Sequence, residues 1–312
     1  MISFGSAVID VFVDVSLSEK GGEFRLPIED KILIDKINFT TGGGGTNTSV
    51  SFSKMGLKAG FVGKLGEDEN ASIILRELKK EKVEFLGVKG KDGHTGYSVV
   101  LGGKSGDRTI LTHKGINNSL KYNELNLERL SADWFYFSSL IGESFKVMER
   151  VVERAYKKGI KIAFNPSSYQ AKMGARRLGK ILRRTDVLVL NEEEGRALVP
   201  RGELLEGLHK LGPKIVCVTL GKNGNMVYDG ISKYKSEAHR DIKSVERTGA
   251  GDAFASGFVG ALIKNRTIEE AIQIGSANAE SVIQIPGAKN GLLSWSSALD
   301  IIIKRVVKII KK

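Results

Sequence analysis

From about residue 132 onward, short apolar runs alternate with amphipathic segments. The apolar runs predict strands at 134–138, 160–164, 186–190 and 214–220, and the segments between and after them predict helices at 145–158, 175–183 and 267–283. Strands that are apolar throughout and separated by helices are typical of a parallel sheet covered on both faces. The pattern therefore predicts an α/β fold with such a sheet.

The first third of the chain has a different pattern. Residues 2–9 predict one buried strand, 59–63 and 83–86 predict two more, and 68–80 predicts an amphipathic helix. Patchier strands at 11–15, 24–26 and 32–37, with a hairpin of 95–101 and 107–113, predict a small exposed sheet. Further predicted elements are antiparallel strands at 226–228 and 232–234, a helix from Asp252 to about Lys264, and a closing helix at 296–311.

Composition narrows the class of protein. The 312 residues are 41% hydrophobic and 27% charged, as in ordinary globular proteins, and the length is enough for one large domain. The net charge is +12, but the basic residues form no block, so nucleic-acid binding is not predicted. No signal peptide or membrane span is visible, which predicts a cytoplasmic protein. Cys217 is the single cysteine and is predicted to be a buried core residue.

Residues 244–260 read S-V-E-R-T-G-A-G-D-A-F-A-S-G-F-V-G, a glycine-rich turn leading into an apolar helix. The first N–H groups of such a helix are unpaired and suit a phosphate or a developing oxyanion. Asp252 would repel a resting phosphate, so it is better explained as the proton acceptor for a hydroxyl that attacks phosphorus. A helix N-cap without any chemistry is the alternative. The turn alone leaves both interpretations open.

A second glycine run, T-G-G-G-G-T-N at 41–47, precedes another predicted helix. Four consecutive glycines cost backbone entropy and are useful where a ligand must approach the main chain. A flexible linker is the alternative interpretation. Asn47, just inside the helix, favours a binding turn.

Polar residues follow two of the apolar strands. Asn165 follows the strand at 160–164, and Asn191 follows the strand at 186–190, with Glu194 three residues later. Parallel sheets bind ligands at the carboxyl ends of their strands. One carboxylate with one amide can organise magnesium, which usually keeps several waters. An Asn N-cap with acidic residues in the first helical turn is the alternative.

T-G-A-G-D-A-F-A-S-G-F closely resembles the second signature of the ribokinase-like (PfkB) carbohydrate kinase family, and G-G-G-G-T-N-T-S resembles its first. N-x-x-E at 191–194, T-L-G-x-x-G at 219–224 and P-G-A at 286–288 resemble other family segments and occur in the family's order. The resemblance covers almost the whole chain. It implies a single kinase domain of residues 1–312: a three-layer α/β/α sandwich with a mostly parallel central sheet and a β lid formed by about 11–39 and 95–113.

The function implied by the resemblance is transfer of the γ-phosphoryl group of ATP to a hydroxymethyl group of a small sugar. Asp252 is then the general base, and the turn of Gly249, Ala250 and Gly251 is the anion hole. A nucleoside kinase of the same family and a non-catalytic sugar-sensing protein are the alternatives. Because a sensor need not keep the base, Asp252 with Asn191 and Glu194 favours an enzyme.

The resemblance also implies ligand contacts and partners. The residues implied for the substrate are Asp10, Gly42, Gly43, Asn47 and Asn165. Those implied for ATP are Asn191, Thr219, Gly221, Gly224 and Asn278. Glu194 is implied for Mg²⁺, with Asn191 and through water. The lid is implied as the interface of a homodimer, and no membrane partner is expected.

Two departures from the family's pattern carry predictions of their own. Gly44 stands where ribokinases usually carry a Lys, which puts ribose in doubt. Since the turn lacks a cation, an unphosphorylated acceptor is predicted, unless Arg108, expected to be solvated, or Lys104 supplies charge from the lid. Glu246 replaces the Asp that helps to hold a monovalent cation. Either Glu246 binds potassium with Arg247 in solvent, or Arg247 folds back and pairs with it.

Overall fold

The computed structural model describes residues 1–15, 18–20, 23–26, 28–102 and 108–312. The predicted hairpin turn after residue 102, which includes Lys104, lies outside them. The described strands are β1 Ile2–Phe4, β2 Val8–Asp14, β3 Ser18–Lys20, β4 Glu23–Arg25, β5 Lys36–Gly42, β6 Ala59–Val62, β7 Lys64–Gly66, β8 Val83–Phe85, β9 Val88–Gly90, β10 Gly96–Gly102, β11 Arg108–His113, β12 Trp134–Phe137, β13 Lys161–Phe164, β14 Val187–Asn191, β15 Ile215–Thr219, β16 Asn225–Tyr228, β17 Lys233–Ser236 and β18 Ile309–Lys311. The described α-helices are α1 Gly44–Lys54, α2 Glu69–Lys80, α3 Glu143–Lys157, α4 Ser167–Ala171, α5 Gly174–Leu182, α6 Glu192–Leu198, α7 Leu204–Lys210, α8 Ala250–Ile263, α9 Ile268–Val282 and α10 Trp295–Lys304.

A large, mostly parallel sheet forms the centre of the structure. Its strand order is β18-β17-β16-β15-β14-β13-β12-β1-β6-β8. The strands from β15 to β8 pair in parallel, whereas β16, β17 and β18 extend one edge in antiparallel fashion. The carboxyl ends of the parallel strands therefore share one edge of the sheet, as predicted for ligand binding.

The central strands are buried on both faces, because helices cover each side. Along β12, Phe135 and Phe137 pack into the core cluster with α3, α5 and α7, whereas Trp134 and Tyr136 pack into the cluster with α1, α8 and α9. This alternation is the two-residue period of a strand. The predicted three-layer arrangement is thus confirmed. No helix in the described part of the chain is long and apolar enough to cross a membrane.

A smaller sheet with the order β11-β10-β2-β5 forms the predicted lid. The prediction of one strand at 2–9 was wrong: β1 lies in the central sheet and β2 in the lid, with residues 5–7 between them. Gly5 permits the crossing, since a Cβ there would lie 2.6 Å from the backbone nitrogen of Gly45. The strand predicted at 32–37 also begins later, as β5.

The end of the chain differs from its prediction as well. The helix predicted at 296–311 ends at Lys304, and Ile309–Lys311 instead forms β18 against β17. The β-branched residues of this segment favour a strand once the edge of the sheet offers a partner. On β15, Cys217 is fully buried as predicted, and burial raises the pKa of its thiol.

Candidate active site

A cavity of about 390 Å³ lies between the lid and the carboxyl edge of the central sheet. Six residues singled out from the sequence line it: Asp10, Gly43, Asn47, Asn165, Gly249 and Asp252. They come from β2, the turn before α1, the end of β13 and the start of α8. The structure thus brings together segments that lie up to 242 residues apart in the sequence.

Asp252 lies in the first turn of α8, with part of its carboxylate facing the cavity. The Asn47 Nδ2 group donates a hydrogen bond of 2.8 Å to Asp252 Oδ2. Burial raises the pKa of Asp252, although the Asn47 hydrogen bond and the charge of Lys289 oppose this effect. A carboxylate that accepts one hydrogen bond and keeps its other oxygen available is suited to accept a proton.

The N-terminus of α8 offers N–H groups to the same place. Gly249 caps the helix at φ 81°, and a Cβ there would lie 2.6 Å from that of Ala288. The Ala250 N–H donates to the Arg247 carbonyl at 3.3 Å, whereas the N–H groups of Gly249 and Gly251 have no acceptor among the described residues. Two of the three predicted anion-hole donors are therefore available to a ligand, with the positive end of the helix dipole behind them.

The glycine run at 42–45 is a tightly packed turn, which excludes the flexible-linker alternative. A Cβ at Gly42 would overlap the Asp10 carboxylate, and Gly43 has φ 96° as the N-cap of α1. A Cβ at Gly44 would overlap the Ser138 hydroxyl, so a Lys could not occupy this position without a shift of Ser138. The glycines place the backbone where Asp10 and the cavity require it.

Three residues that line the cavity carry a buried polar atom without a hydrogen bond in the part of the chain that the structure describes. The atoms are Asn47 Oδ1, Ser167 Oγ and Thr248 Oγ1. Asp10 is also buried, and burial raises the pKa of its carboxyl, with the Ser98 hydroxyl opposing. Because buried polar groups are normally bonded, this set fits a ligand rich in hydroxyl groups.

The residues predicted for ATP and magnesium lie at the neighbouring strand ends. Asn191 pairs in register with Thr219, so β14 and β15 end side by side. Asn191 caps α6 in a reciprocal pair with Glu194: its side chain accepts from the Glu194 N–H, and Glu194 Oε2 accepts from the Asn191 N–H. Asn191 and Glu194 therefore form the helix N-cap that was the alternative interpretation of this motif. The reciprocal cap engages Glu194 through its N–H and Oε2.

The Glu194 carboxyl is buried and lies near two other negatively charged side chains. Burial raises the pKa of its carboxyl; the Asn191 N–H opposes this, and the negative charges of Glu193 and Asp252 add to it. No group of three His, Cys, Asp or Glu side chains in the described ranges could hold a metal unaided. Mg²⁺ needs no such group when it also binds phosphate oxygens and water. The donor set therefore fits a magnesium–nucleotide complex.

Three residues predicted to contact ATP have structural roles. Gly221 and Gly224 both adopt positive φ in the turn after β15, and a Cβ at Gly224 would overlap the Ser236 carbonyl. Asn278 is fully buried, away from the cavity. Its amide donates to Ser51 Oγ and the Ala253 carbonyl and accepts from the Leu293 N–H. These bonds connect α1, α8 and the segment before α10, and the contact of Asn278 with ATP stays a prediction.

The sequence interpretation missed a buried ion pair behind the glycine turn. Lys289 Nζ lies 2.6 Å from Glu77 Oε2, and the lysine side chain is only 5% exposed. The same ammonium lies 3.4 Å from Thr46 Oγ1, which donates to the Gly42 carbonyl. Lys289 therefore anchors the turn from behind. Its position directly after P-G-A was the only signal in the sequence.

The pairing of Glu246 differs from both sequence hypotheses. Glu246 Oε1 accepts from Arg108 of the lid at 2.8 Å, and Oε2 accepts from the Gly287 N–H at 2.8 Å. Arg247 is exposed and forms no ion pair in the described ranges, so the hypothesis that it pairs with Glu246 was wrong. Arg108 is likewise not a solvated charge. Each Glu246 oxygen therefore already accepts one N–H bond, one of them from a permanent cation, and potassium binding there stays a prediction.

This arrangement predicts activity that does not require potassium. A guanidinium carries a permanent charge where an ion would otherwise be needed. Rates in potassium, sodium and tetramethylammonium chloride at matched ionic strength should agree within about twofold. Arg108→Gln, which frees Glu246 Oε1, should slow the enzyme and make it respond to potassium. Strong potassium activation of the unmodified protein would contradict this interpretation.

The described fold and site define a small-molecule kinase. The chain belongs to the pfkB family of carbohydrate kinases, whose family model matches residues 1–295. It is 28% identical over 250 residues to an uncharacterised sugar kinase of Archaeoglobus fulgidus, and the match covers 78% of this chain and 98% of the relative. An ATP-dependent ribose-1-phosphate kinase of Halopiger xanaduensis is 27% identical over 76% of this chain and 78% of its own length.

The solved structures that resemble this chain support the same fold. Arabidopsis thaliana ribokinase, complexed with ribose and ATP, superposes with a TM-score of 0.83 over 96% of this chain and 97% of that chain, at 24% identity. The predicted fold and family are thus confirmed. The protein is an ATP-dependent kinase of sugars or nucleosides.

Proposed function

We propose that this kinase transfers the γ-phosphoryl group of ATP to a hydroxymethyl group of a small sugar. The observation that carries the proposal is the position of Asp252, whose carboxylate faces the cavity beside the unpaired N–H groups at the start of α8. The proposed base and the N–H groups that would bind the anion therefore both lie at the N-terminus of α8. Phosphoryl transfer depends mainly on such positioning and electrostatics.

In the proposed reaction Asp252 accepts the proton of the hydroxymethyl group as its oxygen bonds to the γ-phosphorus. The bond from that phosphorus to the bridging oxygen of ATP breaks, and ADP leaves. Asn47 holds the carboxylate in place through its 2.8 Å hydrogen bond. The N–H groups of Gly249 and Gly251 stabilise charge on the transferred group, and one well-placed donor contributes about 3 kcal/mol.

Glu194, together with Asn191, is the proposed magnesium-organising pair. The oxygens of Glu194 suit a hard cation, and its carboxyl lies near enough to Asp252 for the negative charge of Asp252 to raise its pKa. When bound, magnesium neutralises charge on the phosphates. The side chains of this chain that hold it are fixed by the reciprocal cap of α6.

The experiment that tests the proposal is ADP release with purified protein and a panel of acceptors. The panel contains neutral sugars, polyols, sugar acids, sugar phosphates and nucleosides. Turnover of a sugar with a free hydroxymethyl group supports the proposal, and preferential turnover of a nucleoside would replace the acceptor class. If no acceptor releases ADP although ligands bind, the protein is a sensor.

We further propose that residues 1–312 act as one domain. The first and last strands of the described chain, β1 and β18, both lie in the ten-stranded central sheet. The family model also runs across residues 1–295 without interruption. A single cooperative unfolding transition in urea, seen alike by circular dichroism and fluorescence, would support this, and two resolved transitions would contradict it.

A homodimer through the lid is part of the proposal. The lid face opposite Asp10 carries the cross-strand row Phe39, Val11, Val99 and Leu111. The centre of this row is covered within the protomer, since Val11 is 2% exposed, whereas Phe39 on β5 and Leu111 on β11 are 61% and 56% exposed. Exposed apolar side chains on two open edge strands offer an interaction surface, and a twofold axis would pair each with its copy.

The dimer gives a direct prediction. Phe39→Asp should convert the species seen in sedimentation velocity from dimer to monomer, because a charge would be buried between the lids. Ile303→Asp is the matched control, since Ile303 is 76% exposed on α10, far from the lid in the sequence. A monomeric unmodified protein, or a dimer that survives Phe39→Asp, would refute the lid interface.

A further inference from the structure

Lys114 is a cavity-lining cation that no sequence motif indicated. It follows β11 directly and lines the same cavity as Asp10 and Asp252. Its ammonium lies 5.1 Å from the ring centroid of Tyr169, which also lines the cavity. The side chain therefore faces the ligand space rather than bulk solvent.

The backbone of Lys114 is rigidly held. Its carbonyl accepts from the Asn117 N–H at 3.3 Å and from Asn117 Nδ2 at 2.8 Å. Asn117 is itself 1% exposed and clamps Ala7, accepting from its N–H and donating to its carbonyl. Ala7 lies in the crossing from the central sheet to the lid. Lys114 is thus pre-organised on a fixed part of the cavity wall.

The charge of Lys114 is not neutralised by contact. Among the residues that the structure describes, no carboxylate lies within 4.0 Å of its Nζ. The neighbouring cations are already engaged: Arg108 with Glu246, and Lys289 with Glu77. Burial lowers the pKa of Lys114, and the charge of Asp10 opposes this only from a distance. A partly buried cation without a contact partner is costly unless a ligand supplies the anion.

Polar groups near Lys114 complement an anion as well. Ser167 lines the cavity two residues before Tyr169, and its Oγ is buried without a partner in the described ranges. The Ser167 N–H is fixed on Asn165 Oδ1 at 3.2 Å. A hydroxyl donor and an ammonium on one wall suit an oxyanion, while Asp10 suits hydroxyl groups.

We infer that the sugar accepted by this kinase carries an anionic group, a phosphate or a carboxylate, which Lys114 binds on the cavity wall while Asp252 faces the reacting hydroxyl. This inference rests on the proposed function and specifies its acceptor. From the sequence, an unphosphorylated acceptor was predicted because only the glycine turn and the charges of the lid were considered. The present inference allows a phosphorylated acceptor in its place. A neutral acceptor would leave the Lys114 charge unpaired in the cavity.

The test compares three matched groups of acceptors by ADP release: neutral monosaccharides, sugar acids such as gluconate, and sugar phosphates such as ribose 1-phosphate and fructose 6-phosphate. At least one anionic group should exceed its neutral counterpart at least ~10-fold in kcat/KM, the usual strength of a charge-assisted hydrogen bond. Comparison of the sugar acids with the sugar phosphates shows whether the bound anionic group is a carboxylate or a phosphate. Higher kcat/KM for the neutral sugars would overturn the inference.

Two variants separate a charge effect from a structural one. Lys114→Met should remove the preference for the anionic acceptor and leave neutral acceptors within about threefold, whereas Lys114→Arg should keep part of the preference. Lys146→Met is the control, because Lys146 is exposed on α3 and its ion pair among the described residues is with Glu143. Equal losses for neutral and anionic acceptors in Lys114→Met would refute the role of the charge.

Calorimetric binding of the same sugars without ATP distinguishes failure of this inference from failure of the proposed function. If the unmodified protein binds anionic sugars through Lys114 but transfers no phosphate, the transfer reaction is wrong and the ligand class stands. If neutral sugars bind equally well and are phosphorylated, the reaction stands and the ligand class is wrong.

Discussion

Asp252→Asn is expected to lower kcat by about 10²–10⁴, the range for loss of a general base. The amide cannot accept the proton of the acceptor hydroxyl, yet it keeps the shape of the side chain and can still accept from Asn47 Nδ2. ATP affinity should therefore change little. Steady-state kinetics and equilibrium nucleotide binding measure the two effects separately, and near-normal turnover would remove Asp252 from the mechanism.

The same variant should be more stable than the unmodified protein at neutral pH. Burial raises the pKa of Asp252, so its ionised form costs free energy in the folded state, with the Asn47 hydrogen bond and the charge of Lys289 relieving part of that cost. This cost exists above the raised folded-state pKa. It disappears as the pH falls toward the unfolded value of about 3.9. Urea unfolding from pH 7 to pH 4 should show the stability advantage of Asn shrinking with acidification.

Asp229→Asn is the matched control, and it is expected to change the stability in the opposite direction. Burial would raise the pKa of Asp229, but hydrogen bonds from the Ser232 and Ile231 N–H groups and from Tyr234 hold it below its usual value. Its charge is thus stabilising at neutral pH, and Asn there should lower stability without affecting turnover. If both substitutions lowered stability at pH 7, the assigned electrostatics of Asp252 would be incorrect.

Glu194→Gln is expected to raise the magnesium concentration for half-maximal velocity by roughly 10–100-fold, the range seen when groups that support a metal are removed. The side-chain oxygen of Gln can still accept from the Asn191 N–H, so the cap of α6 should survive. The acceptor KM should change much less. Initial rates over a magnesium titration at saturating ATP measure the shift.

The neighbouring acid supplies the control for that experiment. Glu193 is exposed in the same first turn of α6, and Glu193→Gln removes an equal charge without touching the cap. Its magnesium dependence should stay within about twofold of the unmodified protein. If Glu194→Gln leaves the magnesium requirement unchanged and moves only the acceptor KM, then Glu194 belongs to the acceptor site.

The sequence was sufficient for the central sheet because its strands are apolar on both faces, a pattern that few other structures share. For Asp252 and Asn47 the glycine turns alone left other interpretations open, and the resemblance to the two family signatures predicted their place beside a ligand. Both residues line the cavity, 2.8 Å apart. The sequence was thus informative where a short segment, such as a glycine turn, determines the position of the side chain that follows it.

Contacts between distant segments could not be predicted in this way. Arg108 pairs with Glu246 across 138 residues, whereas the sequence offered only potassium or the adjacent Arg247 as its partner. The division between β1 and β2 depends on which sheet each strand joins, and residues 2–4 and 8–9 on either side of it are both buried and largely apolar. Lys114 has no motif at all. Its importance arises only from the cavity that surrounds it.

The burial of Cys217 gives the protein an experimental handle. It is the only cysteine, it is fully buried in β15, and its thiol is held in the unreactive protonated form. Thiol reagents can therefore modify it only when this part of the sheet opens, so the labelling rate reports opening of the core. A cysteine introduced on the lid would react first and alone, allowing a fluorescent probe to be placed there without altering the native sheet.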